Sequence, residues 1–83
     1  MATDAATLET ATRQATGENI RRLREAAGLT QRQLAERCGE FDSQMVSRWE
    51  RGEQMPELRN LSLLAWELQV GIADLLDTKG MAK

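Results

Sequence analysis

Three glycines divide the middle of this 83-residue chain into short amphipathic segments. Gly28, Gly39 and Gly52 each follow a run in which apolar residues recur every three or four positions, which is the spacing of a helix. Glycine readily takes the left-handed conformation that ends a helix. The chain has one Pro, one Phe and no Tyr, whereas Ala, Leu, Glu, Gln and Arg are plentiful, a mix that favours helices over strands. The sequence therefore predicts an all-α fold.

Start signals precede the first three predicted helices. The first helix is predicted from about Glu18 to Ala27, after Thr16 or Gly17 as its cap. The second begins with Thr30–Gln33, in which a Thr and a Gln three residues apart form a capping box. The third begins after Asp42, whose side chain can accept a hydrogen bond from the first helical turn.

A fourth helix is predicted to begin with Pro56 as its first helical residue, and a short fifth helix to span Ile72 to Leu76. We interpret residues 17–78 as one small domain, residues 1–16 as a flexible N-terminal tail and residues 79–83 as a frayed C-terminus. The fourth helix carries an apolar stripe that is expected to face the core and consists of Leu58, Leu61, Leu64, Ala65 and Leu68.

Several function classes lack support in the sequence. Cys38 is the single cysteine, so no intrachain disulfide can form, and without any His a zinc site is not expected. We interpret Cys38 as a small buried residue rather than a redox sensor. No nucleophile–base pair, phosphate-binding Gly loop or cofactor motif stands out, so we expect neither an enzyme nor a bound cofactor or metal. Signal-peptide features and long apolar stretches are missing, so we expect a cytoplasmic protein that does not enter a membrane.

The net charge of −2 conceals an asymmetry that bears on nucleic-acid binding. Residues 20–51 contain seven Arg and five acidic residues and so carry +2, whereas the rest of the chain contains four basic and eight acidic residues and carries −4. Local charge, rather than the total, decides whether one face can meet phosphates. An acidic chain is therefore compatible with a DNA-binding surface in this middle segment.

The third predicted helix separates its polar and apolar residues onto two sides. Met45, Val46 and Trp49 share one side. The opposite arc of about 140° contains no acidic residue and consists of Ser43, Gln44, Ser47, Arg48 and Arg51. Arg can bind guanine through two hydrogen bonds, Gln can do the same with adenine, and Ser can bind either kind of base edge. From these residues alone two interpretations stay open: a helix that reads DNA, or a polar face exposed to solvent.

Longer stretches of the sequence resemble a known family. The segments IRRLREAAGLTQRQLAERCG, MVSRWERG and LQVGIADLL, with the P-x-L of Pro56 to Leu58, together resemble the Cro/CI-type (XRE, lambda-repressor-like) helix-turn-helix DNA-binding domains over residues 20–76. The resemblance implies a compact five-helix bundle. In that bundle the second and third helices form the helix-turn-helix, and the third lies in the major groove of DNA.

The resemblance also implies roles for individual residues. Arg24 would pair with Glu50 and tie the first helix to the recognition helix. The base readers would be Ser43, Gln44, Ser47 and Arg48. The residues in contact with DNA phosphates would be Gln31, Arg32 and Arg51. A second apolar stripe on the fourth helix would form a homodimer interface through Leu63, Trp66 and Val70. The alternative is that the N-terminal tail folds over this second stripe.

Two positions depart from the family pattern. The turn before the third helix holds one residue more than usual, which we assign to Glu40, so the recognition helix can be tilted. The loop after that helix carries Glu53 where many relatives have Lys or Arg. A carboxylate there would repel phosphate and weaken the affinity of a single domain for DNA.

These residues favour a sequence-specific regulator of transcription that binds double-stranded DNA, most simply a repressor that acts as a dimer. The expected partners are an operator with dyad symmetry and a second copy of the chain. A different class stays open: an antitoxin or adaptor that keeps the fold but binds a protein, such as a toxin, through Leu63 and Trp66.

Overall fold

The computed structural model describes residues 3–79, which form five α-helices and no strand. The predicted all-α, five-helix bundle is confirmed. Residues 1–2 of the predicted tail and residues 80–83 of the predicted frayed C-terminus lie outside the described residues. The helices are α1 (Ala5–Ala26), α2 (Gln31–Cys38), α3 (Ser43–Glu50), α4 (Leu58–Leu68) and α5 (Ile72–Leu76).

The first helix is much longer than the sequence predicted. It begins at Ala5 rather than near Glu18, so the prediction of a flexible tail is wrong for residues 5–16. Asp4 caps the helix, since its carboxylate accepts a 2.8 Å hydrogen bond from the backbone N–H of Thr7. The added segment is rich in Ala, which has the highest helix propensity, and its last residues are buried against the bundle.

The next two helices begin where the sequence predicted. Thr30 caps α2 in a complete capping box: its hydroxyl accepts from the Gln33 backbone N–H at 3.0 Å, and the Gln33 side-chain oxygen accepts from the Thr30 N–H at 2.9 Å. Asp42 caps α3 by accepting a 2.9 Å hydrogen bond from the N–H of Met45. Gly39 ends α2 with a φ of +75°, a left-handed conformation that favours glycine. These caps define both ends of the turn between α2 and α3.

The fourth helix begins two residues later than predicted. Pro56 is buried in the preceding loop, and Glu57 has an extended backbone with a ψ of 161°, so α4 starts at Leu58. Leu58 was predicted to face the core, but it is 71% exposed. Its place is at the edge of the core stripe, about 60° around the helix from Leu61, on the side that leads toward Trp66. The other four residues of the stripe are buried as predicted.

One hydrophobic core joins all five helices. Within it, α1 packs against α3 and α5, and α2 packs against α3 and α4. Asn19, whose role the sequence did not predict, donates from its side-chain amide to the backbone oxygens of Leu75 and Asp77, each at 2.9 Å, and so ties the end of α5 to α1. The buried core consists of Ile20, Leu29, Leu34, Ala35, Cys38, Val46, Trp49, Leu61, Leu64, Ala65, Leu68 and Leu75.

Candidate nucleic-acid interface

The third helix is held from behind by buried side chains. Val46 is completely buried and Trp49 is 1% exposed, and both lie on the side that the sequence predicted to be apolar. The ring of Phe41, in the turn before α3, meets the Trp49 ring edge to face, with 4.7 Å between the ring centroids. Close packing of this kind restricts α3 to one orientation and turns its polar side outward.

The polar side of α3 brings the predicted base readers together. Gln44 and Arg48 are exposed, and Ser47 is half-buried. A shallow depression on this side is bordered by Gln44, Ser47, Arg48 and Arg51. A neighbouring depression, which the acidic residues Glu36 and Asp42 also line, joins Ser43 to Arg32 of α2, a predicted phosphate contact. The arrangement therefore offers hydrogen-bond donors and positive charge on one surface formed by both helices.

A buried ion pair connects α1 to the end of α3. Arg24 donates from Nε to Oε2 of Glu50 at 2.7 Å and from Nη2 to Oε1 at 3.0 Å, and only 10% and 4% of the two side chains are exposed. This is the pair that the family resemblance implies. Nη1 of Arg24 donates to the backbone oxygen of Leu29 at 2.7 Å. Hydrogen bonding to Glu50 raises the pKa of the Arg24 guanidinium, so it stays charged beneath α3.

The same carboxylate holds Gln31, a residue that was predicted to contact phosphate. Nε2 of Gln31 donates to Oε1 of Glu50 at 3.0 Å. The amide has two N–H groups, so one stays available to DNA. Arg32 is exposed and forms a 3.5 Å ion pair with Glu36 one helical turn away. A pair this exposed contributes little, so its loss on binding an external phosphate costs little.

A second ion pair, at the surface, holds the last predicted phosphate contact. Arg51 donates from Nε to Oε2 of Glu53 at 2.6 Å and from Nη2 to Oε1 at 3.2 Å. Nη1 of Arg51 donates to the hydroxyl of Ser47. The hydrogen bond from Arg51 lowers the pKa of the Glu53 carboxyl, so Glu53 is ionised at neutral pH. Glu53 was predicted to repel phosphate, and its pairing with Arg51 was not predicted from the sequence.

The extra residue of the turn before α3 also has a partner. Glu40 accepts a 2.9 Å hydrogen bond from Nη2 of Arg59, which joins this turn to the first part of α4. Both side chains are largely exposed, so the pair adds little stability. The contact ties the longer turn to the bundle, while the tilt of α3 stays a prediction.

The predicted dimer residues lie on the outer side of α4. Trp66 is 81% exposed, whereas Leu63 and Val70 are half-buried against the edge of the core. Leu58, which the sequence assigned to the core, adds an exposed apolar side chain near this side. The alternative in which the N-terminal tail covers Trp66 is wrong for residues 3–16, because they leave the indole open to solvent.

The chain is similar in sequence and in fold to known proteins. A family model described as helix-turn-helix matches residues 20–75. The chain belongs to the helix-turn-helix family. Among solved structures, it is similar to the restriction-modification controller protein C.AhdI from Aeromonas hydrophila, with 35% identity, a TM-score of 0.70 and coverage of 75% of this chain and 92% of that chain. It is also similar to the hypothetical transcription factor NHTF from Neisseria, with 32% identity, a TM-score of 0.78 and coverage of 88% and 83% respectively. No curated protein matches the sequence.

The helix-turn-helix match begins at residue 20, so the N-terminal part of α1 lies outside it. This part packs on the C-terminal end of α3 and the turn that follows it. Arg13 donates from Nε to the backbone oxygen of Gly52 at 2.9 Å. Gly17 lies so close to α3 that a Cβ at this position would be 2.1 Å from the backbone oxygen of Trp49. Residue 17 therefore has to be glycine for the two helices to approach this closely.

This contact between α1 and α3 was not predicted from the sequence. Thr16 and Gly17 were predicted as alternative caps, but both lie inside the helix and are buried. The signal that points to the contact is Ala15–Gly17, a run of three small residues that lets two backbones approach. Asp4, a good N-cap upstream of it, is the signal for the true start of the helix.

Two features of the described residues bear on other functions. Cys38 is buried, and burial raises the pKa of its thiol to about 11, so the thiol is protonated at neutral pH and unreactive. This favours the interpretation of Cys38 as a packing residue. Within residues 3–79, none of the helices is both long enough and apolar enough to span a membrane.

Proposed function

We propose that this chain is a sequence-specific regulator of transcription that binds double-stranded DNA as a homodimer and represses by occupying its operator. The outer side of α3 carries the proposal: it is an arc of Ser, Gln and Arg side chains without an acidic residue. Val46 and Trp49 fix the helix from behind, so this arc faces outward. Membership of the helix-turn-helix family supports DNA binding through this helix.

The two similar structures support a role in transcription. One is described as a controller protein of a restriction-modification system and the other as a hypothetical transcription factor. Both cover most of this chain, at 35% and 32% identity. Their descriptions therefore favour a regulator over an enzyme or a purely structural protein.

In the proposed complex, α3 lies in the major groove with its side chains at the base edges. Arg48 suits guanine, through hydrogen bonds to O6 and N7, and Gln44 suits adenine in the same two-bond manner. Each such contact contributes about 1–3 kcal/mol of discrimination against the wrong base. Ser43 and Ser47 would each add a single hydrogen bond beside these contacts.

The electrostatics of this surface are compatible with DNA although the chain is acidic. Glu50, the acidic residue at the end of α3, is neutralised by Arg24 inside the bundle. Contacts to phosphates would come from Gln31 and Arg32 at the start of α2 and from Arg51 at the end of α3. Such contacts fix the position of a protein on the duplex and supply most of the salt-dependent affinity.

A homodimer would be formed through the outer side of α4. Trp66 is the most exposed large apolar side chain among the described residues, and Leu63 and Val70 lie beside it at the edge of the core. Exposed aromatic residues of this kind are typical anchors of protein interfaces. The dimer would place two recognition helices roughly 34 Å apart, one turn of DNA, so two weakly binding domains would act together.

Selection of bound sites from random duplex DNA tests this proposal. We expect one enriched sequence with dyad symmetry and half-sites about 10 base pairs apart. Its affinity should fall steeply as salt concentration rises, because binding releases counterions from the phosphates. A pool in which no sequence is enriched would overturn the proposed function.

Replacement of Trp66 tests the dimer. Trp66→Glu should convert dimers to monomers in sedimentation velocity, because a charge cannot be buried unpaired in an apolar interface. Leu8→Glu is the matched control: Leu8 is 56% exposed on α1, and its replacement should leave the mass unchanged. An unchanged mass for Trp66→Glu would rule out this interface.

The second candidate function is an antitoxin or adaptor that binds another protein, such as a toxin, through Leu63 and Trp66. The 81% exposure of Trp66 is the observation that favours it. The two candidates differ in the selection experiment, because an adaptor without DNA-binding activity would enrich no sequence. They also differ in sedimentation, where an adaptor surface reserved for another protein would leave the free chain monomeric.

A further inference from the structure

Ser47 is one of the proposed base readers. Its hydroxyl can either donate or accept a hydrogen bond, so its chemistry alone does not decide which of the two it does. A serine hydroxyl has one donor and two acceptor sites, so in the major groove it can bind a base that offers either kind of group. Arg48, one residue further on, can only donate. What surrounds Ser47 therefore decides which bases it selects.

A chain of hydrogen bonds ends on the Ser47 hydroxyl. Glu53 holds the guanidinium of Arg51 through two hydrogen bonds of 2.6 and 3.2 Å, and Nη1 of Arg51 donates to Oγ of Ser47. Oγ is thus already an acceptor within the protein. Within residues 3–79 the hydroxyl hydrogen of Ser47 has no acceptor, unlike that of Ser62, which donates to the backbone oxygen of Leu58 at 2.9 Å.

We propose that Glu53 and Arg51 are specificity-determining residues that make Ser47 a hydrogen-bond donor to DNA. This inference rests on the proposed function, since it assumes that α3 reads bases. An N–H of the Arg51 cation points at Oγ, so the hydroxyl hydrogen turns away from that charge toward the open side of α3. An O–H group whose oxygen accepts from a cation is also a stronger donor.

The bases that Ser47 selects follow from its role as a hydrogen-bond donor. Guanine offers N7 and O6 as acceptors in the major groove, adenine offers N7, and thymine offers O4. Cytosine offers only the donor N4 amino group. Ser47 therefore favours the first three bases at its position over cytosine, which could be bound only through the one acceptor site of Oγ that Arg51 leaves open.

The role of Arg51 toward Ser47 is compatible with its predicted contact to phosphate. An arginine side chain has five N–H donors, and Glu53 and Ser47 take three of them. Two donors stay available to the DNA backbone. Glu53 fixes the plane of the guanidinium, and a lysine, with a single ammonium group, would not reproduce this planar fork.

Site selection with four proteins tests the inference: the wild type, Ser47→Ala, Arg51→Met and Glu53→Ala. Ser47→Ala identifies the position that Ser47 reads, because base preference is lost there. At that position the wild type should disfavour cytosine by about fivefold, the size of one net hydrogen bond. In Arg51→Met the preference should fall below about twofold, because no cation then occupies an acceptor site of Oγ or orients its hydrogen. In Glu53→Ala the preference should weaken, because the guanidinium is no longer held against Ser47.

Arg32→Met is the matched control. It removes one exposed cation from the predicted phosphate contacts without touching Ser47. It should weaken binding to all sequences alike and leave every base preference unchanged. Circular dichroism and urea midpoints establish that each variant is folded, which is expected because the replaced side chains lie outside the core.

The outcomes separate this inference from the proposed function. If the wild type selects a site and Arg51→Met still rejects cytosine at the Ser47 position, the inference is overturned while the proposed function stands. The same holds if Ser47→Ala changes no position. If the wild type enriches no sequence, the proposed function is overturned and the inference with it.

Discussion

Two Arg–Glu pairs lie at the same end of α3 and differ chiefly in their exposure to solvent. The pair of Arg24 and Glu50 has distances of 2.7 and 3.0 Å, and 10% and 4% of its side chains are exposed. The pair of Arg51 and Glu53 has distances of 2.6 and 3.2 Å, and 55% and 54% are exposed. Similar geometry in different surroundings leads to different roles.

Access of water and salt to the charges explains why the two pairs have different roles. Water and salt screen an exposed pair, so its net contribution to stability is small even when its geometry is good. A buried pair is sensitive to the loss of one partner, because the other charge is then left without water or a counter-ion. We therefore expect the buried pair to help to position α3 on the bundle, and the exposed pair to act only on the side chains around it.

Replacement of the glutamate by glutamine in each pair tests this comparison. In the buried pair it has the largest effect on the free energy of unfolding that we expect. Glu50→Gln should lower the free energy of unfolding by about 3 kcal/mol or more, because Arg24 keeps its charge in a buried site. Glu53→Gln should leave the urea midpoint unchanged, since both side chains of that pair are exposed. Equal effects of the two substitutions on urea denaturation would show that burial does not separate the pairs.

The contact of Gly17 with the backbone of Trp49, at the same end of α3, involves no charge and provides a second test with a smaller expected effect. Gly17→Ala should lower the free energy of unfolding by about 1–3 kcal/mol, because the added Cβ overlaps the backbone oxygen of Trp49. This loss would occur although alanine favours helices by about 1 kcal/mol over glycine. Glu18→Ala, at the next and exposed position, is the control and should not destabilise. A stabilised Gly17→Ala variant would contradict the close approach of α1 and α3.

Local signals predicted the helix-turn-helix well. The starts of α2 and α3 follow from capping residues that act within three or four positions, and the structure has both caps. The buried side of α3 follows from helical spacing alone. The pairing of Arg24 with Glu50, which are 26 positions apart, was implied only by the family resemblance, because spacing within one helix carries no information about partners on another.

The remaining features depend on contacts that a local pattern does not contain. The start of α1 was missed because its alanine-rich turns have no apolar periodicity, although they are capped by Asp4 and end against α3. Leu58 fits the core stripe by spacing, but it lies at the first residue of α4, where it stays exposed. Glu53 reaches Arg51 through the turn after α3, a spacing of two that no helical rule predicts.

DNA reading by α3 is tested most directly by repeating the site selection with Arg48→Ala. We expect this variant to lose its preference for guanine at one pair of symmetry-related positions, by about fivefold or more, which corresponds to the loss of a two-bond contact of about 1–3 kcal/mol. The preferences at all other positions should stay as in the wild type. An Arg48→Ala variant that selects the same site with the same preferences would contradict the assignment of α3 as the recognition helix.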